Sequence, residues 1–342
     1  MTAHDHADRN DTEGRPGAKR WLKTGLKLTL SIGLLVFLVT RLDLSGAISR
    51  CMDAHLGFLL LALALLSTQG LVSSIKWQVI LKADDCVVPL LHLWKTYLIG
   101  MFLSLLLPTS FGGDIYRVYA VRRGAAGLVK GTSSVLFDRI SGLVALATLA
   151  MIGSLCLRDT RFIWPVLAGY VVFVTVGLLL STDRALRWMQ RWQHGRLRFG
   201  VKVVESFNRY RKDRRRLVIV ALISLLFQTS VVVINKLYSE ALDIDVSFLQ
   251  LLMIVPLVYL TEALPISING LGVREGAFVF FFLAIGQTAE AGLALALFVV
   301  VFRYSTGLIG GGLLAWDWLR GWPTPFEDEG EGDDASKTSN VQ

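Results

Sequence analysis

Charged residues are scarce in this chain. Lys, Arg, Asp and Glu make up 18% of its 342 residues, where a soluble domain carries roughly 25%. So little charge could not clothe two or three soluble domains, the organisation that length alone would predict. Cysteine is scarcer still. Cys51, Cys86 and Cys156 stand far apart with no metal spacing and read as inert thiols. The five histidines are scattered: His4 and His6 fall in a polar N-terminal stretch, and His55, His92 and His194 share no motif. There is no P-loop, no G-x-S-x-G and no H-E-x-x-H. The sequence therefore predicts no ATP motor, no metal, no cofactor and no enzyme.

What abounds is apolar. Hydrophobic residues make up 53% of the chain and the mean hydropathy is +0.54. They come in blocks, so the expected class is an all-α polytopic integral membrane protein. The net charge of +8 then points to basic loops facing anionic lipid rather than to nucleic acid. Residues 1–21 and 321–342 are polar and read as disordered tails flanking one transmembrane domain, 22–320. Within it the apolar blocks are 25–40, 58–75, 90–107, 140–157, 162–181, 217–237, 248–264, 277–285 and 290–318. A cleaved signal peptide is the competing reading of the first block; the long preceding stretch with four acids opposes it.

Charge asymmetry sets the expected topology. Segment 182–216 holds twelve Lys or Arg against three acids, and should be cytosolic. Its mix of apolar and basic residues suits interfacial amphipathic helices. Segment 117–139 is also basic and belongs on the same side, whereas 238–247 holds Glu240, Asp243 and Asp245 without a Lys or Arg and belongs outside. With the N-terminus inside, a full crossing by 90–107 would put 117–139 on the wrong side. The conflict disappears if 90–107 enters from the cytosol, breaks at Pro108 and returns, and if 248–264 does the same from outside, breaking at Pro265. The expectation is six full spans plus two oppositely oriented re-entrant broken hairpins, both termini cytosolic, in the cytoplasmic membrane.

The two breaks align without gaps. Leu107–Arg117 (LPTSFGGDIYR) matches Leu264–Arg274 (LPISINGLGVR) at five of eleven positions, which suggests an inverted repeat. Broken helices at matching places mark the site of many transporters. Pro108 and Pro265 end helices, and Gly112, Gly113, Gly270 and Gly272 allow close backbone approach. Unwound backbone leaves N–H groups that bind anions; the competing reading is two packed kinks. Arg117 and Arg274 follow the breaks at the same offset and suit phosphate, or snorkel to an interface. Glu262, in an apolar helix, reads either as a protonatable coupling group or as an ion-pair partner. Glu275 adjoins Arg274 as its partner, Asp114 reads as an N-cap, and Arg139 and Arg303 line the path or pair with Asp138 or Glu262. Gly307, Gly310, Gly311 and Gly312 read as tight helix packing.

With LPTSFGGDIYR, PISINGLGVREG and the intervening VLFDRISGL (Val135–Leu143), the chain resembles the transmembrane region of the lysylphosphatidylglycerol synthases, the flippase-like domain family, over roughly residues 22–320. The resemblance implies about eight membrane segments with re-entrant helices. In the lysyl-lipid synthases it implies flipping of aminoacylated phosphatidylglycerol beside a soluble aminoacyl-transferase domain. Only 22 residues follow Arg320, so the expectation is a stand-alone member. Asn269 stands where the family usually has Gly, and Thr109-Ser110-Phe111 where small residues prevail; these departures bear on headgroup identity. The functional expectation is a lipid translocase whose partners are membrane lipids with polar or anionic headgroups, Asn269 and the glycines of the breaks included in the site. The alternatives are a non-transporting scaffold beside envelope-lipid synthesis enzymes, or a membrane-embedded lipid-modifying enzyme.

Overall fold

Long apolar runs with few breakers leave the backbone no option but to satisfy itself within helices, and the computed structural model is helical throughout what it describes. It describes residues 29, 33, 40 and 44–320, apart from 108–110, 123–126, 159, 181–196, 265, 266 and 268. Both expected tails, most of the first apolar block, Pro108 and Pro265 lie outside the described residues.

Among the described residues eleven helices follow in order: α1 (Leu44–Met52), α2 (Leu56–Lys82), α3 (Leu90–Leu106), α4 (Gly112–Val121), α5 (Gly127–Leu157), α6 (Thr160–Leu180), α7 (Leu197–Lys212), α8 (Arg214–Ala241), α9 (Phe248–Glu262), α10 (Val273–Ala284) and α11 (Ala289–Leu319). Four of them, α2, α5, α8 and α11, are long and apolar enough to cross a membrane, and α3 and α9 are shorter apolar helices. The protein is thus an all-α polytopic membrane protein.

The helix lengths repeat. Helices α2 to α5 have 27, 17, 10 and 31 residues; α8 to α11 have 28, 15, 12 and 31. The joints repeat too. Asp85 after α2 and Asp243 after α8 both adopt the left-handed conformation, φ 59° and 51°. In each case the next residue's N–H reaches back five residues, Cys86 to Leu81 and Ile244 to Ser239, which closes the helix end. Four residues beyond each Asp comes the N-cap of the next helix, Pro89 or Ser247, the latter in a capping box with Gln250.

The two copies run in opposite directions. The His55 N–H, entering α2, donates to the Ala241 carbonyl at the end of α8, 2.8 Å away, while Ile80 near the end of α2 packs with Val220 near the start of α8. The equivalent helices are therefore antiparallel, and the bundle has two chemically distinct ends. At the basic end Leu81, Cys86, Leu93 and Val121 share one apolar cluster. The α3–α4 pair therefore leaves that end and returns to it. At the acidic end Gln287 Nε2 donates to the Asp245 carbonyl, 2.6 Å away, so α9–α10 does the same from the opposite side.

Each repeat's last helix packs on the other's broken pair. A Cβ on Gly310 of α11 would overlap the Leu98 carbonyl of α3; one on Gly153 of α5 would lie 2.6 Å from the Met253 nitrogen of α9. These two glycines let backbones touch, which is how apolar helices gain contact where lipid already solvates their side chains. Gly307 and Gly311 also press on α3, through Leu105 and Phe102, whereas Gly312 meets nothing within 4 Å.

Two expected boundaries move. Segment 117–139 is not a loop: it supplies the end of α4 and the first turns of α5, because the α5 helix begins well before its apolar run. Within the basic segment 182–216, α7 is amphipathic and docked. It buries Val201, Val203, Ser206 and Tyr210 at the basic end. The buried Asp84 carboxylate accepts from the Ser206 hydroxyl (3.1 Å) and from the Tyr210 hydroxyl, and the Tyr210 ring packs on Phe137 at 4.9 Å. Removing that acceptor takes a partner from each of two buried hydroxyls, at about 1–3 kcal/mol. Asp84→Ala is therefore expected to release α7, read as faster limited trypsin cleavage at its arginines than in the wild type.

Candidate functional site

Residues beside the two helix breaks come within reach of one another. Asn269, with φ 52°, donates from its side-chain amide to the Leu107 carbonyl at 3.4 Å, joining the second break to the first. Gly270 (φ 75°) lies so close to Glu262 that a Cβ would overlap that side chain, and Gly113 lies so close to Gly100 that a Cβ would overlap its carbonyl. These contacts fold each short helix back against its longer partner. Asp114 does not cap α4, as expected of it; the N-cap is Phe111, and the Asp114 carboxylate turns to arginines instead.

Beside the first break stands a buried ion cluster. Arg117 Nη2 donates to Asp138 Oδ2 at 2.9 Å, and Lys76 Nζ lies 2.8 Å from Asp138 Oδ1. The side chains of all three are no more than 7% exposed. Arg117 also stacks over Trp77, 4.3 Å from the ring centroid. Asp114 lies 3.6 Å from Arg117 Nη1 and pairs with Arg139 of α5, which is 39% exposed. Beside the second break, Arg274 donates to Glu275 Oε1 at 2.6 Å, while Glu275 Oε2 accepts the Gly272 N–H at 2.6 Å and so closes the start of α10. Glu262 Oε1 sits 3.9 Å from Arg274 and pairs with Arg303 of α11, which is 34% exposed.

The sequence-predicted residues thus fall into two concentric sets. Arg117, Arg274 and Glu275 form buried anchors, and neither arginine snorkels to an interface. Arg139 and Arg303, each tied to the carboxylate that also neighbours a buried arginine, line open space. That space is one cavity of two lobes, of about 370 and about 450 Å³, which share Tyr97, Met101, Ser104, Phe111, Arg139 and Gln228. Asp114, Gly113, Arg117 and Arg139 line one lobe, and Asn269, Glu262 and Arg303 the other. Gly112 is buried beside Leu107 under the first break.

Sequence reasoning missed Lys76 as a site residue and took Asp138 only as a pairing option. The signal for Lys76 was present: Trp77-Gln78-Val79-Ile80-Leu81 continues the apolar run after it, so the lysine stands inside the helix rather than at its end. A lysine inside a membrane helix costs at least ~2.5–3.5 kcal/mol on insertion scales unless paired. Tyr97, Asn235 and Tyr259 also line the cavity, and carry no charge that would have marked them.

The family model described as the lysylphosphatidylglycerol synthase transmembrane region matches residues 25–311. The chain is 26% identical to a UPF0104 membrane protein of Methanothermobacter thermautotrophicus, over 76% of this chain and 84% of that protein. It is 20% identical to a UPF0104 membrane protein of Pyrococcus horikoshii, over 86% of this chain and 96% of the relative. No solved structure gives a significant match.

Proposed function

Since the chain belongs to the family of the lysylphosphatidylglycerol synthase transmembrane region, we propose that it is a lipid translocase, which passes the polar headgroup of a membrane lipid from one leaflet to the other through the central cavity. The observation that carries this reading is the contact between residues beside two helix breaks at a charge-lined cavity within an inverted repeat. In transporters built this way, rocking of one repeat against the other exposes a fixed central site to each side in turn. Charge and broken backbone at membrane depth are tolerated where they line a wet cavity.

The basic end faces the cytosol by the positive-inside rule, which puts both termini inside and makes this the cytoplasmic membrane. The α3–α4 and α9–α10 pairs re-enter the bilayer from opposite sides. Arg139 and Arg303 meet the passing phosphate, since both are already half open to the cavity. Arg117 and Arg274 hold the carboxylates that orient them. Glu262, shared by two arginines, is the group through which a proton gradient would act.

The test is flipping in liposomes that carry the purified protein and a headgroup-labelled lipid, with the outer leaflet quenched. The wild type is expected to flip faster than empty liposomes. Arg139→Gln and Arg303→Gln each lose a charge-assisted contact to the headgroup, and each should slow flipping on the order of tenfold or more. Glu262→Gln should abolish any acceleration by a pH gradient. Flipping no faster than in empty liposomes, for every lipid tried, would sink the transport reading and leave the scaffold reading in its place.

A further inference from the structure

Helices α5 and α8 wall one side of the cavity, with Gly142, Leu143, Gln228 and Val231 among its lining. The same two helices alone line a second hollow, of about 240 Å³. Phe137, Val144 and Thr148 contribute to it from α5, and Leu217, Val220 and Leu225 from α8. At 3.6 residues per turn, the α5 residues of this groove fall on the face opposite the cavity. Those of α8 belong to the turns that precede its cavity residues. Ile140 borders both spaces.

The groove is chemically unlike the cavity. Both hydroxyls in it are spent: Ser141 donates to the Asp138 carbonyl at 2.9 Å, and Thr148 to the Val144 carbonyl at 2.8 Å. A hollow that offers water so little stays dry. Ile140, Val144 and Leu217 remain exposed, so the groove opens sideways, and both helices are long and apolar enough to cross a membrane. What lies outside it is therefore hydrocarbon. At the basic end it is closed by α7, whose Tyr210 packs on Phe137 and Val220.

The seam between groove and cavity is lightly fastened. The Ser224 hydroxyl donates to Ser141 Oγ at 3.2 Å, and Gln228 Nε2 reaches the Gly142 carbonyl only at 3.5 Å. Among the described residues, a Cβ on Gly142 would meet just that Gln228 nitrogen, at 3.5 Å. Gly153, further along α5, instead presses on the α9 backbone. One face of α5 is thus close-packed and another is held by two polar contacts.

We infer that the α5–α8 seam is the sideways opening of the central cavity, and that the groove outside it seats an acyl chain of the bilayer. The opening rests on the reading of the cavity as a translocation path, and says where along the bundle a lipid joins that path; the groove stands on its own geometry. Because α7 closes the groove at the basic end, the chain it seats belongs to the leaflet on that side.

Two measurements on the full chain in phosphatidylcholine vesicles test this. The first uses a phosphatidylcholine whose acyl chain carries a diazirine, with labelled peptides mapped by mass spectrometry. Labelling of 137–148 and 217–225 is expected to exceed severalfold that of the exposed α6 stretch 164–172. Ala221→Trp, which fills the groove from its exposed rim, should remove the excess. Labelling spread evenly over the exposed helices would overturn the groove. The second replaces Ser141 and Ser224 by cysteine in a chain carrying Cys51→Ala, Cys86→Ala and Cys156→Ala. Oxidation should lower lipid flipping to the rate of empty vesicles, and a reductant should restore it. Undiminished flipping by the oxidised, cross-linked protein would overturn the opening and leave the translocase reading standing. Absence of flipping before oxidation would remove that reading and the opening with it, while the labelling still decides the groove.

Discussion

Gly310→Ala is expected to cost the fold heavily, and Gly312→Ala, two residues along the same helix, to cost almost nothing. The added Cβ at 310 would overlap the Leu98 carbonyl, so the opposing atom is backbone and cannot rotate away; at 312 the space is open. Overpacking a well-filled contact costs typically about 1–3 kcal/mol, and more where the opposing group is rigid. The loss here falls on the contact that joins α11 to the α3–α4 pair. Thermal unfolding in detergent checks this directly. A clear fall in melting temperature for Gly310→Ala beside an unchanged Gly312→Ala is the expected result. Equal behaviour of the two would mean that the α3–α11 approach is looser than described.

Asp138→Ala is expected to be the most damaging change within the cavity. Its carboxylate is the common partner of Lys76 and Arg117, both of them almost fully buried. Breaking a buried pair by deleting one partner costs about 3–5 kcal/mol, because the stranded charge has no water to turn to. Arg117 retains Asp114 at 3.6 Å, while Lys76 keeps the residue-138 main-chain carbonyl at 3.2 Å and the Phe227 ring, 6.0 Å from its centroid, neither of them an opposite charge. The double change Lys76→Met with Asp138→Leu removes both charges together and should recover much of the loss in melting temperature, since an apolar pair of similar volume often replaces a buried ion pair without penalty. If the double variant were no more stable than Asp138→Ala, the cluster would matter through more than its charge balance.

Much of this architecture could be read from the chain, and the reasons are physical. Lipid forbids unpaired backbone, so apolar blocks mean helices. The conflict between 90–107 and the basic 117–139 segment was enough to call for a broken pair there, and Leu81, Leu93 and Val121 do cluster at one end. Pairing was legible only in part: adjacency marked Glu275 as the partner of Arg274, while nothing local marked the partner of Arg117. Arg117 and Arg274 sit at equivalent offsets, yet one reaches a carboxylate on α5 and the other its own neighbour Glu275. A carboxylate twenty-one positions away is found only by folding the chain. The same holds for Asp84, whose partners Ser206 and Tyr210 on α7 lie 122 and 126 positions away.

Helix α6 belongs to neither repeat, and its value lies in parity. Each repeat starts and finishes at the same end of the bundle, because its two long helices cross in opposite directions and its short pair turns back. Two such units joined directly would lie parallel, with their breaks approached from one side. Helix α6 starts at the end of the bundle where α5 finishes and leads toward the end where α7 is docked, and that reversal gives the opposed pair. Excising 160–180 would force a choice between moving the start of α8 to the other end of the bundle and leaving the second repeat upright. In either arrangement the two breaks could no longer face one another.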